Sequence, residues 1–157
     1  MPAFVDASPA DFPAMREAAE RTGAFSREEL GFIAEIGEAL RAQGAASGYR
    51  ALLLRELETL LGFAIYGPIP GTQNRFDLYW IATVPGAQRK GTGKRLLGEV
   101  ARRVRVEGGR RLFIETSSRG EYAPAHALYR ASGFPLIAEV PDYYADGDAL
   151  MIFGGPV

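Results

Sequence analysis

A chain of 157 residues with 47% hydrophobic side chains can bury one sizeable core, so residues 1–157 are expected to form a single domain. A formal net charge of −1 gives no global pull toward nucleic acid or a membrane surface, so any anion site must be local. The absence of cysteine excludes disulfides, thiolate metal sites and a cysteine nucleophile, and a single histidine excludes a multi-histidine centre, so no metal is expected.

The opening MPAFVDASPADF lacks a charged n-region followed by an apolar h-region, and no apolar run is long enough to cross a bilayer, so the expectation is a soluble cytoplasmic protein. Within that opening, PAFVDA reads as a first strand. Ser8 and Asp11 have the spacing of a helix start, with Asp in the Glu position of a capping box. Phe12, Met15 and Ala19 then share a helical face, and Gly23 ends the helix. Ser26 and Glu29 form a better capping box for a second helix running to about Gln43, with Leu30, Ile33, Gly37 and Leu40 on one side and Gly44 as its stop.

YRALLLREL and LLGFAIYG read as two strands around a tight turn near Glu58, and RFDLYWIATV as a third long strand ended by Pro85. A helix begins at Gly91, with Leu96, Leu97, Val100, Ala101 and Val104 as its apolar stripe. Arg102, Arg103 and Arg105 lie near its C-terminal end, where cations suit the dipole. RRLFIETS reads as a buried strand, APAHALYRASGF as a short helix stopped by Gly133, and LIAEVPDYY and ALMIFG as strands pairing across DGD. The order β, α, α, β, β, β, α, β, α, β, β is that of an α/β protein, with a mixed central sheet of about seven strands flanked by about four helices. The strand at 77–84, the Gly91 helix and the strand at 112–116 form a βαβ unit, expected to be parallel and right-handed.

The segment QRKGTGK, residues 88–94, places three cations and two glycines at a strand-to-helix junction. A Walker loop fails because Thr92 stands where lysine is required, and a dinucleotide fingerprint fails because Leu96 replaces the third glycine. The pattern Q-x-x-G-x-G is present as written. Gly91 and Gly93 let the backbone turn and approach a ligand, the helix start offers unpaired N–H groups, and Arg89, Lys90 and Lys94 add charge. A diphosphate would suit this junction; a plain glycine turn with solvated cations would leave the same pattern.

IATVPGAQRKGTGKRLL resembles motif A of the GCN5-related N-acetyltransferase (GNAT) superfamily, and HALYRASGF and FIETSS resemble its later motif and the intervening strand. FIETSS and DYY…GDALMI are also similar to ribosomal-protein N-terminal acetyltransferases. The resemblance implies that acetyl-CoA is the co-substrate. Its pyrophosphate would meet Arg89, Lys90, Gly91, Thr92, Gly93 and Lys94, and its pantetheine arm the backbone of Ile81, Ala82 and Thr83. It implies acetyl transfer to the amine of a small molecule or peptide, involves no nucleic acid or membrane, and leaves room for a homodimer. A different class of reading is an acyl-CoA-binding sensor or interaction module that keeps the fold without turnover.

By the same resemblance Tyr129 is the general acid for the departing thiolate. Glu115, the lone charge of LFIETS, is the leading general base, with burial expected to raise its pKa; Asp77 is its rival, and a water chain is a third route. Tyr122 stands where the family usually has asparagine, and SSRGEYAP is longer than usual. His126 has no carboxylate at helical spacing and reads as a core or surface residue, and neither Ser117 nor Ser118 sits in a nucleophile elbow. Acceptor contacts are expected from the first two helices, GPIPGTQNRF and PDYYADGD, where Tyr143 and Tyr144 either grip a substrate or pack the hairpin.

Overall fold

The computed structural model describes residues 1–88 and 90–157; Arg89 lies outside the described residues. The elements run β1 (Ala3–Asp6), α1 (Phe12–Thr22), α2 (Arg27–Gln43), β2 (Arg50–Glu56), β3 (Thr59–Pro68), β4 (Arg75–Thr83), α3 (Thr92–Val106), β5 (Arg111–Ser117), α4 (Ala123–Ala131), β6 (Leu136–Ala145) and β7 (Asp148–Pro156). This is the expected order. The strands form a 7-stranded sheet in the order β1-β2-β3-β4-β5-β7-β6. Among the described residues only β4 and β5 pair in parallel, joined through α3; the other neighbours are antiparallel.

Local chemistry sets the helix ends. Ser26 Oγ accepts from Glu29 N–H at 3.1 Å and Glu29 Oε1 accepts from Ser26 N–H at 3.0 Å, the expected capping box. Gly23 ends α1 in the left-handed region at φ 72°. The Asp11 carboxylate accepts from Ser8 N–H at 2.8 Å and pairs with Arg55 at 2.7 Å, tying the start of α1 to β2. The cations expected to complement the α3 dipole do more than that. Arg102 and Arg103 both bind Glu99, and Arg103 also pairs with Asp6 on β1.

Period-2 alternation divides the core between the two faces of the sheet. Leu52, Leu54, Ala64 and Tyr66 pack with Leu96, Leu97, Val100 and Val104 of α3 and Tyr129 of α4. Their neighbours Leu53, Phe63 and Ile65 pack with Phe12 and Met15 of α1 and Ile33 and Ile36 of α2. β4 breaks its own alternation. Leu78 pairs with Tyr66 and Trp80 with Ile65, so Tyr79 is an extra residue, a β-bulge. Before it Phe76 and Leu78 face α3; after it Ala82 belongs to the core under α1 and α2. One inserted residue has inverted the strand's parity, which the expectation of one regular strand over 75–84 did not foresee.

The bulge coincides with the end of the parallel pairing. β4 and β5 are in register from Arg75↔Arg111 to Leu78↔Ile114 and no further. β5 continues to Ser117 against β7, and β4 continues to Thr83 against β3. The sheet therefore opens beyond Leu78.

Two glycines give a stability test. A Cβ on Gly67 would lie 2.0 Å from the carbonyl oxygen of Gly48, which is backbone and cannot turn aside, whereas a Cβ on Gly98 in α3 would meet nothing within 4 Å. Gly67→Ala is expected to cost about 1–3 kcal/mol or more, and Gly98→Ala to stabilise by about 0.5–1 kcal/mol. Urea unfolding of the two variants checks this; equal midpoints would contradict the packing described.

Candidate active site

Of the sequence-marked residues, Asp77 and Glu115 line the opening between β4 and β5, and Tyr129 sits apart from them in the core on the α3 side of the sheet. On the β4 side of the opening, residues 80–83 stay paired with β3 on one edge, while alternate N–H and C=O groups on the other edge face the gap. Ile81, Ala82 and Thr83 lie on this edge. The chain then passes through a short turn, Pro85–Ala87, to α3.

Gly91 precedes α3 at φ 76°, a left-handed conformation that glycine adopts without strain. Arg95 N–H bonds Gly91 C=O at 3.0 Å, so the amides of Thr92, Gly93 and Lys94 lie ahead of the first intrahelical bond. Thr92 is buried, and its hydroxyl donates to Ala87 C=O at 3.0 Å, bracing the loop. Gly93 serves packing as well as access, since a Cβ there would lie 3.0 Å from Leu128 of α4. Lys90 and Lys94 are exposed, and the predicted contribution of Arg89 falls outside the described residues.

A cavity of about 250 Å³ lies at the opening. Asp77, Leu78, Tyr79 and Trp80 line it from β4, Glu115 from β5, Glu29 from α2 and Tyr144 from β6. The parity change explains the wall, because Tyr79 and Trp80 are consecutive yet both pack toward α1 and α2, with Tyr79 edge-on to Tyr49 at 5.5 Å and Trp80 6.5 Å from Phe32. Tyr144 enters from a stretch, residues 141–144, that is out of register with β7. Asp142 holds that stretch at φ 55°, its carboxylate accepting from Gly147 N–H at 2.8 Å. Nothing in the sequence singles out Glu29, Tyr79 and Trp80 as site residues, because a helix cap accounts for Glu29 and a strand accounts for the two aromatics. The β3–β4 loop, expected to contact the acceptor, contributes nothing to the lining. It sits at the paired end of β4.

The expectation of a buried Glu115 is not met. On β5, Leu112 and Ile114 point into the α3 core, and alternation turns Glu115 to the opposite face, where it is exposed. Asp77 is the half-buried carboxyl. Burial and the neighbouring charge of Glu115 push its pKa up to about 6. Tyr79 beside it is raised to about 12 by burial, the Asp77 charge and Tyr49. Tyr129 is 5% exposed, edge-on to Phe153 at 5.3 Å, and burial raises its phenol to about 12, so it stays protonated at neutral pH.

His126 is a buried latch. Its Nε2 lies 2.9 Å from Ser117 C=O and its ring stacks on Phe153 at 5.4 Å, fixing α4 to the end of β5. It touches neither serine hydroxyl: Ser117 Oγ bonds Asp148, and Ser118 Oγ accepts from Ala149 N–H at 2.8 Å. Tyr122 donates to Ala24 C=O at 2.8 Å, joining the start of α4 to the α1–α2 connection. A larger cavity, about 550 Å³, lies away from the opening, near β1 and the C-terminal ends of α2 and α3. Arg50 and Arg103 in its wall are already paired with Glu107 and Asp6. Among the described residues no helix is long and apolar enough to cross a membrane, and no group of acidic or imidazole side chains has metal-holding geometry.

A family model described as acetyltransferase (GNAT) family matches residues 12–134. A crystal structure from Desulfovibrio desulfuricans assigned to the GNAT family is 38% identical over 99% of both chains, with a TM-score of 0.96. The ribosomal-protein-S18-alanine N-acetyltransferase of Escherichia coli is 25% identical over 100% of this chain and 94% of its own, with a TM-score of 0.80. A Salmonella typhimurium structure solved with its cofactor acetyl-CoA shares the fold at 18% identity, covering 99% of this chain and 94% of its own, with a TM-score of 0.77. An uncharacterised protein of Mycobacterium leprae is 33% identical over 91 residues, 57% of this chain but 24% of that longer protein.

The Asp77 environment predicts a pH-dependent stability. In the folded chain Asp77 holds its proton to about pH 6, against an ordinary value of 3.8, so folding takes up a proton in that window and stability falls as pH rises through it. Asp77→Asn removes the charge that is disfavoured above the window. The variant should gain on the order of 1 kcal/mol over the parent above pH 7, allowing for solvent screening at a half-exposed group, or about 2–4 °C in Tm. The gain should shrink to nothing below about pH 4. Tm measured against pH for both chains checks this; parallel profiles would contradict it.

Proposed function

From the premise that this chain belongs to the GNAT family of acetyltransferases, which the match over residues 12–134 shows, we propose that residues 1–157 are one catalytic domain moving an acetyl group from acetyl-CoA directly to a primary amine. The observation that carries this reading is the coincidence of three features. β4–β5 pairing ends at Leu78↔Ile114, an acidic cavity occupies the gap, and the free edge of β4 leads to an open helix start.

The residues present fit the donor. Gly91 gives the left-handed turn, the amides of Thr92, Gly93 and Lys94 offer donors at a positive helix end, and Lys90 and Lys94 add charge for a diphosphate. The unpaired edge at Ile81, Ala82 and Thr83 offers backbone groups to an extended amide-bearing arm. When bound, acetyl-CoA supplies an activated thioester. A backbone N–H of that edge would polarise its carbonyl.

Asp77 is the base in this reading. A carboxyl near 6 is mostly ionised at neutral pH and basic enough to take a proton from an ammonium group in transit. Glu115 acts on it through charge, and Tyr79, Glu29 and Tyr144 are the other titratable side chains facing it. The amine lone pair forms the N–C bond as the C–S bond breaks. The amine proton passes to Asp77 and on to solvent. Tyr129 hydrogen-bonds the departing sulfur, which leaves as a thiolate and takes its proton from solvent; a phenol near 12 is a weaker acid than a thiol, so this contribution is a hydrogen bond and not a net proton delivery.

Thiol release from acetyl-CoA, followed against pH, tests the reading. The parent should show a rising limb in kcat/KM with an apparent pKa near the Asp77 value of about 6. Asp77→Asn should abolish that limb. Glu115→Gln should shift it downward, because removing a like charge favours the Asp77 anion. A limb lost in Glu115→Gln but kept in Asp77→Asn would move the base to Glu115. Release no faster than spontaneous hydrolysis with every amine would favour the non-catalytic, acyl-CoA-sensing alternative.

A further inference from the structure

The lining of the cavity points to a class of acceptor, an inference that rests on the acetyl-transfer reading above. Glu29, Asp77 and Glu115 share one space of about 250 Å³ that, among the described residues, no cationic side chain lines. Among the described residues none of these three joins an ion pair, whereas Asp6, Asp11, Glu99 and Glu107 elsewhere are each paired with arginine. Glu29 spends one oxygen on Ser26 N–H at 3.0 Å and keeps the other free.

The carboxylates do not converge on a point. Among the described residues they make no cluster with metal-holding geometry, so the negative charge is spread along the cavity. One ammonium group would answer one carboxylate and leave the others repelling each other in a half-enclosed space. A second ammonium, held off by a short methylene chain, answers them. The other lining side chains are Leu78, Tyr79, Trp80 and Tyr144, whose apolar surfaces accept methylenes, and the three aromatic rings favour cations. A carboxylate beside the amine of an acceptor would meet like charge in this lining. The volume suits a chain of several atoms.

We propose that the acceptor is an aliphatic diamine or polyamine, with one amine at Asp77 and Glu115 beside the strand gap and a second held toward Glu29.

The test compares thiol release from acetyl-CoA with butylamine, 1,4-diaminobutane, spermidine, free alanine and a short uncharged peptide, alongside calorimetric titration of the protein with spermidine alone. A second charge-assisted contact corresponds to roughly tenfold or more in kcat/KM for 1,4-diaminobutane over butylamine, with alanine lowest. Glu29→Gln keeps the helix cap, because glutamine also serves there. It should lower the diamine-to-monoamine ratio severalfold. Butylamine equal to the diamine, a peptide preferred to both, or a ratio unmoved by Glu29→Gln would overturn the proposal. The calorimetry separates it from the transfer reading. Spermidine binding that weakens about tenfold in Glu115→Gln, with no amine turned over, would uphold the polyamine as the ligand of this cavity and sink the transferase. Turnover of other amines with no spermidine binding would do the reverse.

Discussion

One extra residue in β4 governs the site. With Tyr79 unpaired between Leu78↔Tyr66 and Trp80↔Ile65, the strand changes parity and bends away just where its parallel partner is left at Ile114. Three consequences follow from that single register step. The far half of β4 acquires a free edge, two adjacent aromatics turn to the same side to wall a cavity, and Asp77 is left half-buried beside the exposed Glu115. A regular strand in the same place would have continued the ladder and closed the gap.

The rest of the chain holds that opening steady from both ends. α3 is pinned by Arg103, which binds Glu99 on its own helix and Asp6 on β1, so its glycine-led N-terminus meets the end of β4 in a fixed place. Hydrogen bonds from Arg102 and Arg103 hold Glu99 down to a pKa of about 2, well below the usual carboxylate range. α4 is fixed by the His126 contact with Ser117 C=O and by Leu128 lying against Gly93, and Tyr129 joins the core under α3. Tyr122 then links α4 to the α1–α2 connection through Ala24. The carboxylates that tie elements together, Asp6, Asp11 and Glu107, are paired with arginine, and among the described residues those lining the cavity are not.

Much of this was legible in the sequence, for identifiable reasons. Helix limits followed from Ser26, Glu29, Gly23 and Gly133, whose chemistry is local. The parallel β4–α3–β5 unit followed from element order, and the glycine loop from spacing. The bulge was not legible, because RFDLYWIATV alternates poorly whether or not a residue is inserted, and only the pairing with β3 reveals the insertion. The exposure of Glu115 was not legible for the same reason. A lone charge in an apolar strand can face solvent when one face of that strand is uncovered, and neighbouring elements decide this. Glu29 reached the cavity through tertiary packing of α2, which no local pattern encodes.

The central claim is that the edge freed by the Tyr79 bulge, together with the start of α3, receives the acetyl donor. Amide hydrogen exchange of the full chain with and without acetyl-CoA tests it most directly. Residues 75–78 are already paired with β5 and should exchange alike in both states. Residues 79–83 and 92–94 should gain protection when acetyl-CoA is present. Protection confined to the larger cavity near the C-terminal ends of α2 and α3, or none at all, would contradict it.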